Sequence, residues 1–161
     1  MVWYLCILPM WERLRRFREL PAPARRIFLR AAALLPWVAL RLRVQGFRVT
    51  KNWLQSFAKN NSANNSQETA EQAQLTVRMV RAAARHGIGH PSCLEESLVL
   101  LHFLNAQGIA AQLRIGVKKN APRFEAHAWV ECDGKPLNER EALHDHYAPF
   151  EVEFSGPAAN S

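Results

Sequence analysis

The chain has 161 residues and is 48% hydrophobic, enough for one globular domain with added elements and too little for two full domains. Its three cysteines, Cys6, Cys93 and Cys132, are irregularly spaced. They exclude a disulfide framework and a Cys-x-x-Cys metal pair, point to a reducing, cytoplasmic setting, and leave a thiol available for chemistry. The net charge of +7 is unevenly placed: residues 1–51 carry eleven Lys/Arg against Glu12 and Glu19, whereas residues 52–161 carry ten against twelve acids.

The opening run Met1–Met10 is apolar but has neither a basic start nor a small-residue cleavage site, so it does not read as a secretory signal. Residues 11–20 and 24–45 read as helices rich in Arg, Leu and Ala, separated by Pro21-Ala22-Pro23, with Gly46 as the stop of the second. The apolar stretch Ala31–Leu40 is half the ~20 residues a bilayer span needs, and it contains Pro36. This basic segment suits an acidic peptide, a partner surface, anionic lipid or nucleic acid, or simply a solvated helix face. Lys59–Gln67 is polar and reads as a linker. The expected organisation is therefore a helical N-terminal region over 1–66 and a core over 67–155.

In the core, Thr69 and Gln72 have capping-box spacing and open a helix that runs to His86 and closes at Gly87. Ser92 and Glu95 repeat that spacing after His90-Pro91. The helix they open buries Leu94, Leu98 and Leu101 and ends at Gly108. The period then changes from helical to alternating. Ile109, Ala111, Leu113, Ile115 and Val117 form one strand face; Phe124–Cys132 forms a second strand, with Glu125, His127, Trp129 and Glu131 on one side. Asp133-Gly134 is a hairpin turn and Lys135–Glu139 the returning strand. Helices packed on an antiparallel sheet make an α+β domain.

Cys93 falls at the first helical position after its cap, where unpaired N–H groups and the positive end of the helix favour a thiolate and can hold an oxyanion. The bland alternative is a small buried cysteine. His127 is the candidate base, and a base that deprotonates a thiol needs a third group to orient it. If Cys132-Asp133-Gly134 forms a three-residue loop, His127 faces Glu139 across the ladder, Trp129 faces Leu137 and Glu131 faces Lys135. A two-residue turn puts Arg140 opposite His127 instead. Glu139 is thus the expected orienting acid, with Asp133 kept as a second candidate. His86, His90 and Cys93 have ligand-like spacing, with His144-Asp145-His146 further on. Gly87, Gly89 and Pro91 break the helix that would align the first three, so neither a metal nor a cofactor is expected.

Several segments taken together resemble one family: Ser92-Cys93-Leu94-Glu95-Glu96-Ser97-Leu98, Gly108-Ile109-Ala110-Ala111, Ile115-Gly116-Val117 and Phe124–Glu131, with Leu29–Pro36 and Gly46-Phe47-Arg48 upstream. They look like the transglutaminase-like leader peptidase of lasso-peptide gene clusters, the B protein, over roughly residues 25–150. The resemblance implies a papain-like or transglutaminase-like cysteine peptidase core, α+β, that cleaves a ribosomally made precursor peptide so that a macrolactam synthetase can close the ring. By position it assigns Cys93 as nucleophile and His127 as base. The acid, twelve residues after the histidine, is Glu139, where the family more often has Asp. Some members carry a fused winged-helix recognition domain. Residues 1–66 look helical rather than strand-rich, so a separate leader-recognition protein is expected. Nucleic acid is not among the expected partners; peripheral membrane contact through the basic segment is. A non-catalytic scaffold of the same fold, and an acyltransferase or transglutaminase, are the alternatives.

Overall fold

The computed structural model describes residue 15 and residues 17–56, 66–87, 89–118, 125–139 and 147–149. The expectations for Met1–Met10, most of the Lys59–Gln67 linker, and His144–His146 lie outside these residues. Among the described residues, 15 and 17–19 are helical, and helices α1 (Ala22–Gln55), α2 (Ser66–His86) and α3 (Cys93–Ala106) then precede strands β1 (Gln112–Lys118), β2 (Ala126–Cys132), β3 (Lys135–Pro136) and β4 (Tyr147–Pro149). All strand pairings are antiparallel, in the order β3-β2-β1-β4. The architecture is α+β.

α1 runs on past the expected stop. Gly46 does leave helical geometry, at φ 78 and ψ 174, a conformation essentially confined to glycine. The helix resumes beyond this kink, and Thr50 Oγ1 donates across it to the Gly46 carbonyl at 2.9 Å. Helix α2 also begins earlier than its capping-box spacing suggested, at Ser66 rather than Thr69. Its last turn is closed by the Gly87 N–H on the Ala83 carbonyl, 2.7 Å.

α3 is the central element. Ser97, Leu98, Val99, Leu100, Leu101, Phe103 and Leu104 are all buried, so the helix is covered on every side rather than along one stripe. Ala31, Leu35, Val38 and Leu54 of α1 and Val77, Val80 and Ala83 of α2 share one cluster with it, as does Val130 of β2. Burial of such side chains stabilises by about 1.5–3 kcal/mol each, before the entropy of ordering them. Strand β2 is covered on both faces at its centre: Ala128 and Val130 are buried, and so are Trp129 and Glu131. The Glu131 carboxylate is satisfied there by Trp129 Nε1 at 2.8 Å and Arg114 Nε at 2.9 Å.

The hairpin register differs from expectation. Cys132 pairs with Lys135 and Glu131 with Pro136, so the loop is the two-residue Asp133-Gly134 and not a three-residue one. Both residues have positive φ, 49 and 74, the turn whose twist matches that of its flanking strands. The ladder is also shorter than the expected Lys135–Glu139 strand, ending after Leu137 N donates to Val130 O at 2.8 Å. The short strand β4, which pairs Gly116 with Pro149 and Lys118 with Tyr147, has no counterpart in the sequence reading.

Candidate active site

Cys93 stands at the first position of α3. Ser92, extended at φ −69 and ψ 163, caps the helix. Its Oγ accepts from Glu95 N at 3.3 Å, and its own N–H donates to Glu95 Oε2 at 2.7 Å. The Glu96 N–H is taken by the Ser92 carbonyl at 3.0 Å. Of the first-turn donors, those of Cys93 and Leu94 have no acceptor among the described residues, so they are the pair that an oxyanion would meet. The Cys93 thiol is partly exposed and not in a disulfide.

The acid reaches the histidine by a route other than direct ladder pairing. In a continuing β-ladder, Val130 N–H would bond to the Leu137 carbonyl. Instead it donates to the side-chain Oδ1 of Asn138 at 2.8 Å. Asn138 Nδ2 donates in turn to Ser97 Oγ at 3.0 Å, and Ser97 donates to the Ala128 carbonyl at 2.9 Å. Asn138 and Ser97 are both buried. One amide side chain therefore stands in for the ladder, lets residues 137–139 bend away, and ties the bend to α3. Glu139 emerges from that bend with Oε1 2.9 Å from His127 Nε2. The contact is short but lies off the direction of the ring N–H. It is a close approach rather than a straight hydrogen bond. The His127 ring also lies nearly parallel to Trp129, with centroids 6.3 Å apart and planes at 18°.

Cys93 and Glu139 line one open cleft of about 410 Å³, together with Glu96, Asn138, Arg81 and Arg85. Glu96 lies three residues after Cys93, hence on the same helix face. Burial pushes its carboxyl above the usual range, Arg81 and Arg85 pull it back, Glu139 pushes it up further, and His127 lowers it. Arg81 Nε is 3.9 Å from Glu96 Oε1, and Arg81 Nη2 donates to the Asn138 carbonyl. Asp133 is in the turn at the far end of β2. Cys132 Sγ lies 4.0 Å from its Oδ2, and burial followed by the Asp133 charge pushes the Cys132 thiol up.

Of the residues singled out in the sequence, the structure puts Cys93 and Glu139 on one cleft and Glu139 against His127; it leaves Asp133 apart from them. The sequence reading missed Arg81, Arg85, Glu96 and Asn138. The i, i+3 spacing of Cys93 and Glu96 and the i, i+4 spacing of Arg81 and Arg85 were the available signals for three of these; for Asn138 there was none. Among the described residues no three His, Cys, Asp or Glu side chains come together as a metal site.

Residues 33–152, about three quarters of the chain, match the model of a family described as the transglutaminase-like superfamily. No curated protein and no solved structure matches the chain.

Proposed function

The chain belongs to the transglutaminase-like superfamily, and from that premise we propose that it is a cysteine endopeptidase that removes the leader from a lasso-peptide precursor, acting with a separate leader-recognition protein and a macrolactam synthetase. The superfamily includes cysteine peptidases. The observation that carries the chemistry is the shared cleft of Cys93 and Glu139, with Glu139 2.9 Å from the His127 ring.

In this reading Cys93 Sγ, as thiolate, attacks the scissile carbonyl carbon. The Cys93 and Leu94 N–H groups receive the oxyanion. His127 takes the thiol proton and passes it to the leaving amine, and water then cleaves the thioester. In this reading Glu139 orients the imidazole from its Nε2 side, and Nδ1 is the nitrogen left to take the thiol proton. Glu139 is one methylene longer than the Asp more usual in lasso leader peptidases, and a backbone already bent out of the ladder at 137–139 accommodates that length. The leader specificity rests on the motifs around Cys93 and His127, and the separate recognition partner on the helical character of the N-terminal region.

The test is cleavage of a lasso precursor by the purified chain with its recognition protein, followed by intact mass. Leader and core should together weigh the precursor plus one water, and Cys93→Ala should yield neither. A product bearing an amine in place of water would make the protein an acyltransferase. Leader binding with no product and an unreactive Cys93 would make it a scaffold.

A further inference from the structure

α1 carries two apolar faces. Ala24, Ala31, Leu35 and Val38 face the core. On the opposite side Leu29, Ala33, Trp37, Leu40 and Val44 follow one another at steps of three and four, which aligns them along a single face. They are open to solvent: Leu29 is 54% exposed, Trp37 50%, Leu40 51% and Val44 74%. At 1.5 Å per residue the row is about 22 Å long, a contiguous apolar surface of the kind that marks an interaction site.

The charge around it has one sign. α1 contains six arginines and Lys51 and not one Asp or Glu. Arg26 and Arg30 are exposed at one end of the row and Arg43 at the other, with Arg48 exposed just past the Gly46 kink. Beside the row, between α1 and α3, opens an apolar groove of about 370 Å³, walled by Leu34, Trp37 and Phe103 with Arg30 among its lining residues. No helix among the described residues is long and apolar enough to cross a membrane.

We propose that the outer face of α1 lies on an anionic phospholipid surface, with Leu29, Trp37, Leu40 and Val44 in the headgroup–acyl boundary and the flanking arginines on lipid phosphates. An apolar row with a central tryptophan and only basic neighbours is the composition of an interfacial helix. Long arginine side chains reach from such a row up to the phosphate level. The groove beside Trp37 takes a length of acyl chain whose headgroup phosphate meets Arg30. Contact is peripheral and reversible, and it leaves the cleft of Cys93, on other elements, accessible. The other chemistry that fits a basic, apolar face is an acidic protein partner, and the experiment separates the two.

The full-length protein is sedimented with vesicles of equal parts phosphatidylglycerol and phosphatidylcholine, and with phosphatidylcholine alone. It should pellet with the anionic vesicles at low salt and be released as salt rises. Trp37→Ser with Leu40→Ser truncates two half-exposed side chains, so the variant is compared with wild type below its own melting temperature, where a loss of binding of about tenfold or more is expected. Arg26→Gln with Arg43→Gln should remove the preference for phosphatidylglycerol. Equal pelleting with both vesicles, no pelleting with either, or undiminished binding by the Trp37/Leu40 variant would each overturn the proposal, the last by leaving a charged patch suited to an acidic protein.

Discussion

Replacing Asn138 by Ala tests the device that brings Glu139 to His127. The amide makes two hydrogen bonds in a buried place, accepting from Val130 N at 2.8 Å and donating to Ser97 Oγ at 3.0 Å. Val130 and Ser97 are each 0% exposed, so water cannot replace the lost partner. Leaving the Val130 N–H unsatisfied costs about 1–3 kcal/mol, and losing the Ser97 bond about 0.5–1.5 kcal/mol more. We expect a net loss of about 1.5–4.5 kcal/mol in urea unfolding, with an unchanged dependence on urea. Cleavage by the folded variant should also fall, since the 137–139 bend is no longer tied to α3 and Glu139 drifts from the imidazole. Asn138→Asp keeps an acceptor for Val130 but buries a charge that cannot donate to Ser97. It should therefore recover stability as the pH falls and the carboxyl protonates. Adding Ser97→Ala to Asn138→Ala should cost less than the sum of the two single changes, because both remove one shared bond. A stability for Asn138→Ala within about 0.5 kcal/mol of wild type, or full cleavage by a destabilised variant, would refute the idea that this amide replaces the ladder.

Three further outcomes follow from the site. Glu139→Gln should slow cleavage by roughly 10–10⁴-fold with little change in melting temperature, whereas Asp133→Asn should leave the rate near wild type; the reverse pattern would transfer the orienting role to Asp133. Cys93 should be alkylated by iodoacetamide at neutral pH faster than Cys132, whose thiol is pushed up by burial and by Asp133; equal rates, read by peptide mass, would count against an activated Cys93. Glu96, whose carboxyl is raised above the ordinary glutamate range chiefly by burial, holds its proton more tightly folded than unfolded. Stability therefore falls as the pH rises from the ordinary glutamate range to the raised value, and the loss persists above it. Glu96→Gln should accordingly be more stable than wild type at neutral pH and lose that advantage below about pH 4; a variant less stable at neutral pH would mean that the Arg81 contact outweighs the burial.

Much of this site is written in short stretches of sequence. The Ser92–Glu95 box sets Cys93 at a helix start because every group it uses lies within four residues, and the observed bonds are the expected ones. The change from helical to alternating period after Gly108 locates the sheet, since side-chain direction along a strand is a local property. What local pattern could not decide was how the hairpin closes. Asp133-Gly134 fits a two-residue turn or the end of a three-residue loop. The expectation favoured the longer loop because it pairs Glu131 with Lys135, Trp129 with Leu137 and His127 with Glu139. The chain takes the shorter turn and still delivers Glu139 to the ring, because Asn138 leaves the ladder and is held by Ser97, 41 residues away on α3. That bond exists only once the helix has packed against β2, and so does the cleft to which α2 contributes Arg81 and Arg85. The sequence by itself determined the core helices, the β1–β2 pair with its turn, and the reacting residue types, but not the short strand β4. Tertiary packing decided the register, the bend and the approach of acid to base, because each depends on buried polar groups whose partners lie on other elements.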